Sequence, residues 1–329
     1  MGTLITGATG FVGLHVTRLL AEQTKAIRVL VRPTSERRFI QDLPVEFVEG
    51  DLRDRPSLAK ALDGITHVFH VAADYRLWSK NPGELYENNV QGTRNLIEAA
   101  HNAGIERFIY TSTVGTVAVP GWHGLPDERT LATVSDMIGD YKKSKLLAEQ
   151  EVLDAAARRF PAVIVNPTTP VGPCDWKPTP TGRLIVDFAR GRVFAAPPPG
   201  GTNLVAVEDV ARAHVLALER GRPGERYLIG GDNLSLDQVW QLLAEVTGRP
   251  APRWRIPYAL AVLMGWIDEG RCRIQPRAQP RVPLEGVRMS VQQMYVDSSK
   301  ARTELGYQPG PIRDGLKRAV AWYRAHGYA

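Results

Sequence analysis

Residues 6–13 read TGATGFVG, and they stand between a β-branched run, Thr3–Thr6, and an apolar helical pattern over Val12–Gln23. A strand that turns through glycines directly into a helix has few ways to fold, because the turn is tight and the helix N-terminus is left facing an open crevice. Gly7 permits the turn, Gly10 lets backbone amides approach a pyrophosphate, and Gly13 lets the helix pack closely. Thr9, Phe11 and Val12 complete the loop at the helix N-terminus, which faces the anion. Three glycines alone are weak evidence. The order strand, loop, helix is what separates a dinucleotide site from a bare turn.

The rest of the first half agrees. Short apolar runs at Ile27–Val31, Val45–Glu49, His67–Val71, Phe108–Thr111 and Val163–Val165 alternate with helical spacing over Leu85–Asn102 and Tyr141–Arg159. This predicts an α/β fold, a Rossmann-type doubly wound parallel sheet with helices on both faces. The nearly continuous apolarity of the runs fits strands covered on both sides. After Asn166 the texture turns to Pro, Gly and Thr through Gly182, and again over Ala196–Gly201, as in loops that meet substrates. Val205–Val207, a helix from Glu208 and the run Tyr227–Ile229 read as a return to the main sheet. The expected division is a nucleotide-binding core of 1–166 plus about 202–231, and a smaller C-terminal substrate-binding lobe of about 167–201 and 232–329. With 329 residues, 43% hydrophobic and 23% charged, the composition excludes disordered, collagenous and coiled-coil chains.

In a dinucleotide-binding unit the residue ending the second strand reports on the adenosine ribose: an acid bonds the 2′-hydroxyl, whereas an Arg accommodates a 2′-phosphate. Here that residue is Arg32, with Arg37 and Arg38 close behind and no acid in the place. NADP is the expected cofactor and NAD the alternative. Asp51 and Leu52, after the third strand, reach the adenine edge, and Val71, Ala72 and Ala73 line the cofactor with small side chains.

Tyr141 and Lys145 are four apart at the start of a helix and share one face. A phenol titrates near 10, so proton exchange near neutrality asks for a lowered pKa, and a neighbouring ammonium supplies a field of that sign. Lys145 can also hold the cofactor ribose.

Jointly, TGATGFVG, EGDL at 49–52, HVAA at 70–73, NNVQGTRN at 88–95, YTSTVGTV at 110–117, YKKSK at 141–145, VEDVARAH at 207–214 and the tail MYVDSSKARTELGY resemble the extended short-chain dehydrogenases/reductases over nearly the whole chain. In HVAADYRLW, NPTTPVGPCDWKPTPTG and NLVAVEDVA the chain is similar to dihydroflavonol-reductase-like proteins, and among them to a group labelled hopanoid-associated sugar epimerase. The resemblance implies a hydroxyl, ahead of the Tyr helix, that hydrogen-bonds the reacting oxygen. That position falls on Thr113, where most members carry Ser, with Ser112 the fallback. It gives Asn89 a structural or proton-relay role, brings Pro167, Thr168 and Thr169 toward the nicotinamide carboxamide, and leaves Thr111 among the cofactor contacts. The implied reaction passes hydride between NADP(H) and a ketone, aldehyde or secondary alcohol. The alternative is a nucleotide-sugar epimerase or dehydratase with tightly bound NAD. In those relatives an Arg grips the substrate pyrophosphate; its place is Thr202 here, with Arg183 or Arg190 as substitutes. A non-catalytic redox-sensing binding protein is the third reading, and Tyr141 with Lys145 argues against it.

The seven histidines show no two-His-plus-acid spacing on a predicted helix, so no metal is expected. His67 and His70, three apart in a strand, point to opposite faces and read as core or loop residues. Tyr75, Trp78 and Trp176 fall in two loops expected over the nicotinamide, as substrate contacts or as staples. The net charge of +6 is too dilute for nucleic acid, and no nucleic-acid motif occurs. Arg253, Arg255, Arg271, Arg273, Arg277, Arg281 and Arg288 bracket the apolar stretch Tyr258–Ile267, which reads as a core-facing helix with solvated flanks; it is too short to span a bilayer, and any membrane contact is peripheral at most. Cys174 and Cys272 match neither a disulfide framework nor a zinc set, and no leader fits ahead of Gly7, so a cytoplasmic location is expected. The expected partner is a small molecule, an apolar or lipid-derived one among the candidates, and the expected assembly a monomer or homodimer.

Overall fold

Strands that need no polar face build the centre of this molecule. The computed structural model describes residues 2–23, 26–117, 124–275, 280 and 283–329. In chain order the strands are β1 (Gly2–Thr6), β2 (Ile27–Val31), β3 (Glu46–Glu49), β4 (Ile65–His70), β5 (Arg107–Thr111), β6 (Ala162–Pro167), β7 (Thr169–Val171), β8 (Ala195–Ala196), β9 (Gly201–Ala206), β10 (Arg226–Ile229), β11 (Asp232–Ser235), β12 (Trp254–Arg255) and β13 (Gln293–Met294). The main sheet runs β10-β6-β5-β4-β1-β2-β3 with every pairing parallel. Alternate residues feed opposite layers. Ile5, Val29, Phe69 and Ile109 pack with the helices Phe11–Gln23 and Val207–Arg220, while Leu4, Leu30, Val68 and Phe108 pack with Arg55–Leu62, Gly92–Asn102 and Gly139–Ala157.

The strand order reverses between β1 and β4, whose ends meet at the pair Thr6 and His70. Segments leaving these two strands diverge, and the crevice between them is where doubly wound sheets take ligands. The loop of Gly7 and the segment Val71–Ala73 therefore emerge side by side.

Three expectations from the sequence are corrected. The run at Val205 does not rejoin the main sheet. It lies in β9, which pairs with β7, β11 and β13 in a second sheet, because β7 leaves the end of β6 and sets Thr169 against Leu204. The tail around Ala301, Leu305 and Tyr307, assigned to the lobe, packs back into the core. The helix Tyr258–Ile274 turns only Ala261, Gly265 and Cys272 inward and leaves its apolar residues largely in solvent. Of the arginines around it, Arg277 and Arg281 lie outside the described residues. The stretch Leu85–Asn102 is helical but interrupted by one π-type turn, Glu87–Gln91, a local widening common at functional sites.

Two glycines hold the crevice together. Gly7 has φ +76°, and a Cβ there would come within 2.5 Å of the Ala72 amide nitrogen; a Cβ on Gly13 would overlap the Gly7 carbonyl oxygen. Replacing a helical Gly by Ala ordinarily stabilises by about 0.5–1 kcal/mol. We expect that gain for Gly270→Ala, which meets no neighbour, and a loss of about 1–3 kcal/mol for Gly13→Ala from overpacking. Urea midpoints at constant m-value give both signs; a gain at Gly13 would show that the contact yields.

Candidate active site

The loop after β1 is closed by the Gly10 N–H donating to the Gly7 carbonyl at 2.9 Å. The helix Phe11–Gln23 has no acidic residue in its first turn, so its N-terminal amides and dipole meet an anion unopposed. With the backbone-close glycines, this cradle fits the pyrophosphate of a dinucleotide. Trp176 donates its indole N–H to the Thr9 carbonyl at 3.1 Å, and the Arg38 guanidinium lies 5.6 Å from the Trp176 ring and 4.6 Å from that of Phe39. This ties Trp176 to the phosphate loop. Arg32 follows β2 and is exposed; its N–H is fixed by the Ser35 hydroxyl at 3.0 Å. Neither Arg32 nor Arg38 is ion-paired among the described residues, whereas Arg37 is bound to Glu49 at 2.7 Å. Asp51 is clasped by Arg53 through two bonds of 2.9 Å, which hold its carboxyl below the usual range. The carbonyl of Leu52 accepts from the Asn95 amide at 3.0 Å.

Below the crevice two histidines tie strand ends together. His70 bridges the hydroxyls of Thr6 and Thr93 at 2.8 and 2.9 Å, and burial lowers its pKa to about 3. His214, from the helix Val207–Arg220, meets the Thr111 hydroxyl at 2.8 Å, and burial lowers it to about 4. The N–H of Val71 donates to the Thr6 carbonyl and that of Ala72 to the Thr6 hydroxyl, so the chain leaving β4 is bound to the end of β1; Ala73, next along, is exposed. The π-type turn aims Asn89 at the same segment. Its side chain accepts the Asp74 N–H at 2.7 Å, and its amide donates to the Asp74 carbonyl and to the Ser144 hydroxyl, both at 2.9 Å. Asn89 thus ties the loop bearing Tyr75 and Trp78 to the helix of Tyr141.

On that helix Tyr141 lies close enough to Thr113 for the Thr113 side chain to lower its pKa, and the Thr113 hydroxyl oxygen accepts the Gly115 N–H at 3.1 Å. Ser112, one residue earlier, is buried with its Oγ unpartnered. Lys145 is buried and donates to the Tyr110 hydroxyl and the Thr111 carbonyl, each at 2.8 Å. The expected depression of the phenol is reversed. Burial pushes Tyr141 up to about 12 against the opposing pull of the Thr113 side chain, with Glu285 and Tyr75 adding to the rise, while burial pulls Lys145 down to about 7. Lys145 reaches past Tyr141 to Tyr110, which the sequence reading left out although it opens the YTST segment.

Two further polar residues carry no motif. Glu149, one turn beyond Lys145, is fully enclosed and accepts from Thr116 at 2.8 Å, Asn166 at 2.8 Å and Arg226 at 3.0 Å. Its spacing from Lys145 was the available signal. Glu285, from the helix Leu284–Ser290, sits against Gly139 with its Oε1 unpartnered, and burial pushes it up to about 8. Tyr75 is partly exposed and raised by burial, then by Asp175; Trp78 is half-buried in the same loop. Pro167 closes β6, the N–H of Thr168 donates to the Ile229 carbonyl at 3.0 Å, and Thr169 shares a hydroxyl bond of 3.0 Å with Thr202. Among the described residues no group of three His, Cys, Asp or Glu side chains is placed to hold a metal ion.

A parallel doubly wound sheet, a glycine cradle at its switch point and a Tyr–Lys pair beside it define a nicotinamide-dependent oxidoreductase of the extended short-chain type. Residues 3–230 match the NAD dependent epimerase/dehydratase family, and the chain belongs to that family. It is 45% identical over 328 residues to a Synechocystis protein provisionally named dihydroflavonol 4-reductase, covering 98% of this chain and 95% of that one. It is 37% identical to sterol demethylase protein B of Methylococcus capsulatus, covering 99% of each. Its fold matches the crystal structure of gox2253 with a TM-score of 0.87 at 45% identity, over 99% of both chains.

The two histidines give the fold an acid limit. Both stay neutral in the fold but take up protons near 6.5 once unfolded, so the stability they permit is complete above about pH 6.5 and is lost as pH falls toward 4, at about 1.4 kcal/mol per pH unit for each. We expect His214→Asn, measured by urea unfolding at pH 7, 6 and 5, to remove one such increment from the slope. An unchanged slope would mean that His214 protonates equally in both states.

Proposed function

We propose that the protein is an NADP(H)-dependent oxidoreductase that passes hydride between nicotinamide and a ketone, aldehyde or secondary alcohol on an apolar body, with Thr113, Tyr141 and Lys145 as its catalytic residues. The observation that carries this reading is the convergence of Tyr141 with the Thr113 side chain, which acts against the burial-driven rise of the phenol, and with the buried Lys145 one turn along the same helix. The cofactor, when bound, supplies the hydride. In the reducing direction Thr113 and Tyr141 polarise the carbonyl oxygen. A phenol pushed up to about 12 keeps its proton at neutral pH and gives it up only as negative charge grows on that oxygen. Lys145 anchors the end of β5 beneath Tyr141 and reaches the cofactor ribose.

Exposed Arg32 and Arg38, whose guanidinium groups form no ion pair among the described residues, support a 2′-phosphate and hence NADP over NAD; Asp51, already held by Arg53, supports the same choice. The names of the two relatives, a dihydroflavonol reductase and a sterol demethylase component, support a polycyclic or lipid-derived substrate. Thr202 stands where a sugar-nucleotide enzyme would carry Arg and spends its hydroxyl on Thr169, which weighs against the epimerase. Two unpaired, buried cysteines fit a reducing compartment, and we assign the protein to the cytoplasm.

Tyr141→Phe should lower turnover at least about a hundredfold, the lower end of a general-acid contribution, while cofactor affinity by calorimetry stays the same; smaller losses remove Tyr141 from the role. Lys145→Ala should lower rate and cofactor affinity together. Wild type should bind NADPH about 10–150 times more tightly than NADH, as charge-assisted phosphate bonds of roughly 1.5–3 kcal/mol imply, and Arg32→Asp should erase or reverse the preference. Equal affinities in the wild type would return the epimerase to the front.

A further inference from the structure

The helix Tyr258–Ile274 presents a face left exposed by the described residues. Ala261, Gly265 and Cys272 form its inward seam, and Glu269 is turned the same way to accept the Leu284 N–H at 2.8 Å. On the opposite side Leu260, Leu263, Met264 and Ile267 recur at three- and four-residue spacing, with Ile274 two turns further on, a single stripe in solvent. Leu263, Ile267 and neighbouring Trp266 each expose more than half of their surface, and Ile274 exposes 84%. Two more aromatic side chains stand beside the entry to this helix. The β8–β12 ladder sets Trp254 beside Ala195, next to Phe194; Trp254 is 78% and Phe194 81% exposed.

We propose that this surface docks the protein on an anionic lipid bilayer, with the helix lying in the plane of the interface. The charges select that occupant. Arg253, Arg273 and Arg288 are exposed and have no acidic partner among the described residues. The helix's own acids are withdrawn: Asp268 holds Arg271 at 2.8 Å with its carboxyl mostly covered, and Glu269 caps Leu284. An apolar stripe with large aromatic side chains and unneutralised arginines matches the acyl boundary and phosphates of a leaflet. A second copy of the chain fits less well, because a two-fold contact sets the same arginines against each other. No helix among the described residues is long and apolar enough to cross a membrane, so the contact is peripheral. The face is also well placed. The helix packs on Leu284–Ser290, whose Glu285 touches Gly139, two residues before Tyr141. Docking rests on the surface alone and holds whichever reaction the site performs.

The test is cosedimentation of the full chain with vesicles of phosphatidylcholine alone and of phosphatidylcholine mixed with phosphatidylglycerol in about a two-to-one ratio. Wild type should bind the mixed vesicles, weakly or not at all the neutral ones, and should be released by salt. The double change Leu263→Glu with Ile267→Glu should abolish binding. Arg253→Gln with Arg273→Gln should lower it roughly twenty-five-fold, taking each arginine near an anionic surface as about fivefold. Both variants should keep the wild-type unfolding midpoint and turnover of a water-soluble ketone. Failure of wild type to bind mixed vesicles overturns the proposal, as does equal binding by the Leu263→Glu, Ile267→Glu protein. A wild-type dimer that this variant splits, with no vesicle binding, would identify the occupant as a second copy and overturn it as well.

Discussion

The contact of Gly7 with the backbone of Val71 and Ala72 is the constraint on which the crevice depends. Parallel strands at a switch point would otherwise send their connections apart with nothing between them. Here the first turn is pressed against the segment leaving β4, close enough that only a residue without Cβ fits. The Thr6 hydroxyl and carbonyl bind that same segment, and His70 joins Thr6 to Thr93 beneath it. The floor of the nucleotide site is thus backbone against backbone, sealed by neutral polar groups, and its shape varies little with surface side chains.

The helix of Tyr141 and Lys145 is held by a different device, a buried carboxyl group that gathers three segments of the chain. Glu149 collects Thr116 from the segment after β5, Asn166 from β6 and Arg226 from β10. Arg226 also donates to the Glu128 carbonyl. Removing one member of such a network leaves an uncompensated buried group, which costs far more than the net worth of the intact set. The helix that carries Tyr141 and Lys145 is therefore held three turns along by a point outside the reaction.

How much of this was legible in the sequence follows from the range over which each signal acts. The glycine loop, the parallel strands and the Tyr–Lys spacing are local, and local patterns survive in one dimension. The placement of β9 was misread because Val205 is apolar enough for either sheet, and only its pairing with Thr169–Val171 decides between them. The direction of the Tyr141 shift was misread because spacing places Lys145 on the same helix face but does not say where its amine points. Glu285 approaches from a part of the chain with no motif, and its burial beside Gly139 arises only when the lobe is folded over the core. The exposure of Leu263 and Ile267 escaped for a related reason: periodicity finds an apolar face and does not say what covers it.

The staple through Trp176 has a kinetic consequence. Its indole N–H closes on Thr9 across 167 residues, and its carbonyl accepts the Tyr328 hydroxyl at 2.6 Å across 152 more. Contacts of that separation form after the loops they close have been ordered. The phosphate loop, local in sequence and early in the chain, is consequently completed by some of the most distant partners in the molecule. Its last increment of protection in a pulsed hydrogen-exchange refolding experiment should arrive with the C-terminal helix Ile312–Ala325 and not with β1.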